Sequence, residues 1–155
     1  MTADGHDQPA GGRFEGARHL FPLRVYFEDT DLSGVVYHAN YLRYMERARS
    51  DMLRVAGIDQ RALFEGGGGA YAITRLALRY AAPARLDDAL LVVSRVQSAR
   101  AASVVIHQTV RRGAELLTVA EVTAALVGAD GRPRRQPAAW VDLYRDLVSQ
   151  GEELP

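Results

Sequence analysis

The chain has 155 residues, no cysteine, and 19 basic against 19 acidic side chains, for a formal net charge of zero. One domain is expected at this length. Disulfides, thiolate metal sites and cysteine nucleophiles are excluded, and the balanced charge gives no whole-molecule field toward DNA, RNA or an anionic membrane. A reducing cytoplasm fits the absence of cysteine; no apolar run approaches the ~20 residues that span a bilayer, and the N-terminus lacks the apolar core of a secretory signal.

Residues 1–20, rich in Gly, Asp, His and Gln, read as a disordered tail in which His6 and His19 are solvated. Leu23, Val25 and Phe27 then alternate with Arg24, Tyr26 and Glu28, the period-2 pattern of a strand with one buried face. A sharp acidic turn follows, and a helix enters through Tyr37-His38-Ala39-Asn40 and runs to about Ala56. Tyr41, Met45, Ala48, Met52 and Val55 fall on one stripe, with Arg43, Arg47, Ser50 and Arg54 opposite, and Gly57 marks the stop. Ile58 to Glu65 predicts a short second helix. The glycine run Gly66 to Gly69 reads as a linker, since no Lys-Ser/Thr follows it as a phosphate loop requires.

Beyond the linker the pattern turns to β, with runs at Ala70–Tyr80, Leu90–Gln97, Val104–Arg111 and Leu116–Val127. The last two gaps are short, which makes those strands antiparallel neighbours. The stretch GADGRPRRQP leads to a short helix from Ala138 to Val148, and residues 149–155 read as a tail. The layout is α+β: a five-stranded antiparallel sheet wrapped around one long central helix, as a single domain over residues 21–148. An edge strand left open in such a sheet predicts a homodimer or homotetramer.

Asp31 and His38 flank the Ser33-Gly34 turn next to the positive end of the helix. That arrangement binds a carbonyl oxygen and delivers an activated water to it, which makes an enzyme the leading reading. Asp31 is also good turn chemistry, and the His38 imidazole has three candidate uses: orienting a substrate, bonding Asp31, or capping the helix. Asp29 reads as a turn-stabilising acceptor, Glu46 as an ion-pair partner of Arg43, Arg47 or Arg49, and His107 as structural. The scattered histidines and absent cysteines predict no metal site.

The segment EDTDLSGVVYHANYLRYMERAR, Glu28 to Arg49, resembles the signature of hotdog-fold acyl-CoA thioesterases of the 4-hydroxybenzoyl-CoA thioesterase class. It is most similar to the bacterial branch associated with the Tol-Pal envelope system, and RYAAPARLDD and GRPRRQP resemble the same branch, so the likeness covers about Phe21 to Leu147. The resemblance implies a hotdog fold and hydrolysis of a short-chain or hydroxybenzoyl-type acyl thioester, carried on coenzyme A or an acyl carrier protein. It makes Asp31 the catalytic carboxylate, as nucleophile or general base, and the His38 backbone N–H the holder of the carbonyl oxygen. Gly34, Tyr37 and Asn40 are expected to contact substrate, with Tyr37 along the acyl tunnel. Because coenzyme A carries phosphates, Arg134 and Arg135 are expected to bind them. No separate cofactor is implied, coenzyme A being part of the substrate. The rival readings are a non-catalytic module binding acyl carriers or envelope-complex proteins, and a hotdog hydratase.

Overall fold

The structure is a computed structural model describing residues 5–152; residues 1–4 and 153–155, expected within the two tails, lie outside the described residues. The elements are β1 (Arg13–Glu15), β2 (Arg18–Arg24), α1 (Asn40–Val55), α2 (Gln60–Glu65), β3 (Ala70–Tyr80), β4 (Ala89–Ala99), β5 (Ser103–Arg112), β6 (Glu115–Val127) and α3 (Ala138–Glu152). They form one antiparallel sheet of six strands rather than five, in the order β1-β2-β4-β5-β6-β3, wrapped around α1. The short gaps do make β4, β5 and β6 consecutive neighbours, but β3 pairs with β6 and forms an edge, so the segment from Ala81 to Asp88 crosses the sheet.

Two expectations about the N-terminal half are corrected. The strand expected over Leu23 to Glu28 begins earlier, at Arg18, and gives way to a 3-10 turn at Phe27–Asp29. The sheet itself starts at Arg13, inside the segment expected to be a tail, and His19 is buried at 0% exposure rather than solvated. The reason is a long-range polar bond: His19 Nε2 lies 2.8 Å from Asp51 Oδ2 on α1, and the same oxygen accepts the Gly12 N–H at 2.9 Å. Gly12 must be glycine here, since a Cβ would sit 2.8 Å from both that oxygen and the His19 ring.

The buried face of α1 is Tyr41, Tyr44, Met45, Ala48, Asp51, Met52 and Leu53, close to the predicted stripe. Val55 departs from it and is 48% exposed, because it occupies the last helical position. Each fully buried Met or Leu contributes about 1.5–3 kcal/mol of transfer free energy. Gln108, buried on β5, locks the helix to the sheet: its Nε2 donates to the Met45 carbonyl at 3.0 Å and to Ser94 Oγ at 2.9 Å, while its Oε1 accepts from Arg49 Nη1 at 3.0 Å. Arg49 is therefore not the partner of Glu46, which forms no ion pair among the described residues. The second helix starts at Gln60, two residues later than expected, where the Asp59 carboxylate caps the Ala62 N–H at 2.9 Å.

Candidate active site

The site is assembled from an acidic turn, the entry to α1 and the end of β3. The buried Asp29 makes the turn: its carboxylate accepts the Tyr26 N–H at 2.8 Å, which bends the chain out of the strand direction. Its carbonyl accepts the Tyr37 N–H at 2.9 Å and the Asn40 amide at 2.8 Å, and so ties the turn to the helix entry. Burial, and then the Asp29 carboxylate beside it, push the Tyr44 phenol well above its ordinary range.

Between these clamps the chain makes a loop closed by a Thr30–Val36 bridge and an Asp31 N–H to Val35 carbonyl bond of 3.0 Å. Gly34 supplies φ = +81° at its tip, a left-handed position that a side chain would strain. Val36 is anchored below, donating its N–H to the Ala84 carbonyl at 2.9 Å. The loop thus presents Asp31 to solvent on a fixed base.

The Asp31 carboxylate accepts the Ser33 hydroxyl and, at 2.8 Å, the Ser33 N–H, both on Oδ1. The Ser33 hydroxyl first, then its N–H, and more weakly the charge of His38, hold this carboxyl below its ordinary value of 3.8. Oδ2 is left without a described partner, an ionised oxygen facing outward.

His38 lies two residues ahead of α1, its ring 4.5 Å from that of Tyr37, centroid to centroid. The backbone N–H groups of His38 and Ala39 donate to no described residue, so both are available at the positive end of the helix. The His38 carbonyl accepts Tyr80 Oη at 2.6 Å, which fixes these peptides against β3. An apolar cavity of ≈ 290 Å³ opens beside His38, walled by Val36, Tyr41, Tyr80 and Pro83.

The structure therefore places Asp31 and Gly34 on one loop and Tyr37 and His38 just beyond it, with His38 in electrostatic reach of Asp31; of the four, His38 lines the cavity and Asp31, Gly34 and Tyr37 do not. Asn40 is near, but its amide holds the Asp29 carbonyl and so positions the turn. Arg134 and Arg135 are exposed and stand elsewhere in the chain: Arg134 Nη1 donates to the Gly67 carbonyl at 2.7 Å, ahead of the first residue of β3, whereas Tyr80 is the last. The length of β3 separates these ends by about 33 Å. Tyr80 and the hydroxyl of Ser33 are the contributors not singled out from sequence. Ser33 is detectable, since a serine two residues after an aspartate favours this local bond; Tyr80, 42 residues from His38, is not.

Among the described residues no group of three or more His, Asp or Glu side chains is arranged to hold a metal ion, and no helix is long and apolar enough to cross a membrane.

Residues 25–145 match the family pattern of the thioesterase-like superfamily. Acyl-CoA thioesterase YbgC of Haemophilus influenzae is 42% identical over 107 residues, covering 69% of this chain and 79% of its own length. Acyl-CoA thioester hydrolase YbgC of Shigella flexneri is 41% identical over 127 residues, covering 81% of this chain and 94% of its own. The crystal structure of a probable thioesterase from Bartonella henselae is similar with a TM-score of 0.73 at 36% identity, over 77% of this chain and 99% of that one. The chain belongs to the thioesterase-like superfamily and has its hotdog fold.

Proposed function

We propose that this chain hydrolyses acyl-CoA thioesters to the free acid and coenzyme A. One observation carries the reading: an ionised carboxylate at a rigid loop tip shares a site with two undonated N–H groups at a helix entry. Asp31 attacks the thioester carbonyl and the C–S bond breaks, releasing the coenzyme A thiolate and leaving a mixed anhydride that water then opens to the free acid and the restored carboxylate; or it takes the proton of a water whose attack expels the thiolate directly. In either route the His38 N–H receives the charge that develops on the carbonyl oxygen as the carbon becomes tetrahedral. These groups call for no metal or redox cofactor. Short-chain or hydroxybenzoyl-type acyl groups are the proposed substrates, with acyl carrier protein as the alternative carrier. Thiol release from a panel of acyl-CoAs tests this, and the absence of cysteine means a thiol-reactive dye sees only product. No turnover of any member overturns the reading and favours a carrier-binding module.

The reading includes a homodimer, or a dimer of dimers, formed across β3. That strand is an edge, with Ile73 48% and Leu76 41% exposed, a surface that an unpaired strand does not ordinarily leave open. The cavity beside His38 is also at the lower limit of ligand pockets, about 300 Å³, and needs a second wall. Light scattering at micromolar protein is expected to give a dimeric or tetrameric mass; a monomer overturns this part.

Antiparallel pairing of two β3 strands sets the Arg134 end of one protomer beside the Tyr80 end of its partner. Arg134 and Arg135 are proposed to bind the coenzyme A phosphates in that arrangement. Arg134→Ala with Arg135→Ala is expected to raise KM for acyl-CoA several-fold while sparing small thioesters without the nucleotide. An unchanged KM for acyl-CoA discards the assignment. The resemblance of Glu28 to Arg49 further supports the Tol-Pal-associated branch, and the cysteine-free composition fits the proposed cytoplasmic location.

A further inference from the structure

A second concave surface lies on the face of the sheet turned away from α1. Strand alternation sends Ser94 and Gln108 inward, where they bond each other, and sends their neighbours Arg95, His107 and Thr109 outward. The registers then align Arg18 of β2, Arg95 of β4 and His107 of β5 in one row across three strands. A row of Leu20, Val93 and Thr109 runs beside it, and Leu91 and Arg111 form the next. Together they floor a cavity of ≈ 750 Å³, closed on one side by Gly151 near the end of α3.

Among the described residues the charges in this cavity are not balanced. Directly opposed like charges on adjacent strands are destabilising, yet Arg18 faces Arg95 across one pair, and neither forms an ion pair among the described residues. Arg111 donates its Nε to Thr109 Oγ1 at 3.3 Å, which leaves its terminal nitrogens free of described partners. Among the described residues the one carboxylate of the lining is Glu15, which stands opposite Arg18 in the β1–β2 register and is held by Arg13 at 3.0 Å. Glu121, at the end of the row, faces His107 and accepts from Gln97 Nε2 at 3.2 Å. The C-terminal end of α3 offers about half an elementary charge, against three guanidinium groups. Gly151 of α3 and Arg95 of β4 line this cavity together.

The dimensions choose the ligand. Three strands span about 10 Å from Arg18 to His107, and Arg111 lies about 13 Å along β5 from His107. Guanidinium forks match phosphoryl oxygens, and the apolar strip of Leu20, Val93 and Leu91 between the cations suits an organic ring. We propose that this cleft binds a phosphorylated small molecule of nucleoside-diphosphate size, with its phosphoryl oxygens on Arg18 and Arg95 and its organic part over Leu20 and Val93. The site is independent of the thioester chemistry at Asp31.

Isothermal titration of the full chain with ADP tests the proposal, with inorganic pyrophosphate as a second probe. Saturable binding at one ADP per chain is expected, with a Kd of about 1 mM or tighter, weakening as salt is raised. Arg18→Ala with Arg95→Ala weakens it about tenfold or more. Arg111→Ala, which leaves the Arg18–Arg95 row intact, weakens it several-fold by removing one of the three cations whose field draws the phosphoryl groups into the cleft, and serves if the double variant fails to fold. Burial, Arg95 and Arg111 hold the His107 imidazole below its ordinary range, with Glu121 opposing them. Its NMR titration is therefore expected to move upward when ADP binds. Absence of saturable binding, affinity unchanged in the variants, or an unmoved His107 resonance overturns the site. Binding of ADP with none of pyrophosphate overturns the phosphoryl contact, and equal affinity for the two overturns the contact of the organic part.

Discussion

Asp31→Asn is expected to lower kcat for thiol release by about 100-fold or more, with KM little changed. The substitution is chosen for what it keeps. An asparagine oxygen still accepts the Ser33 N–H and hydroxyl, so the loop that Gly34 and the Thr30–Val36 bridge define stays in place. Only the negative charge is lost, and with it the group proposed as nucleophile or general base. Circular dichroism and the urea midpoint should therefore match the parent protein, since the side chain is exposed and buries nothing. The pH profile sharpens the test. Asp31 stays ionised below its ordinary value of 3.8 because Ser33 donates to the charged form. The acid limb of kcat/KM is accordingly expected below that value. A limb in the imidazole range would move the base role to the His38 side chain, and turnover that survives in Asp31→Asn would remove Asp31 from the mechanism altogether.

Asp51→Ala is expected to cost about 3 kcal/mol of stability or more, read as a lower urea midpoint at unchanged slope. Asp51 Oδ2 is the shared acceptor of His19 Nε2 and the Gly12 N–H, at 2.8 and 2.9 Å. His19 Nδ1 is already buried without a described partner, so removing the carboxylate leaves both ring nitrogens unpaired in the core. Asp51→Asn, which retains an acceptor oxygen, should cost less. The pair also sets a pH dependence. Burial lowers the His19 imidazole below its ordinary 6.5, with Asp51 opposing the shift. As pH falls through 6.5 the unfolded chain takes up a proton that native His19 refuses, so stability declines until the folded group protonates too. A midpoint insensitive to Asp51→Ala would mean that β1 and β2 are held by other contacts.

These two residues also mark how far the sequence can be read. The central helix is legible because Tyr41, Met45, Ala48 and Met52 repeat at helical spacing, and β3 because a β-compatible run lies between the glycines ending at Gly69 and the loop at Ala81. Asp31, His38 and Gly34 are legible because a turn compresses chemistry into a few adjacent positions. The first two strands are not. Gly11, Gly12 and Gly16 give that segment the composition of a tail, and its order rests on the 32-residue contact from His19 to Asp51. Phe27 leaves the strand because Asp29 offers the Tyr26 N–H a nearer partner than any ladder. The arginines near position 134 are legible as a charge but not as a location, since nothing local records that Arg134 reaches Gly67.

The bond from Tyr80 to the His38 carbonyl has a consequence at the other end of the same amide. The carbonyl of His38 and the N–H of Ala39 belong to one conjugated unit, so a donor at the oxygen draws electron density from the nitrogen and makes that N–H more acidic. Tyr80 is the terminal residue of β3, one of the two edge strands of the sheet. In the dimer proposed across β3, the annealing of one sheet margin to another thereby bears on the donor strength of the Ala39 N–H at the helix entry.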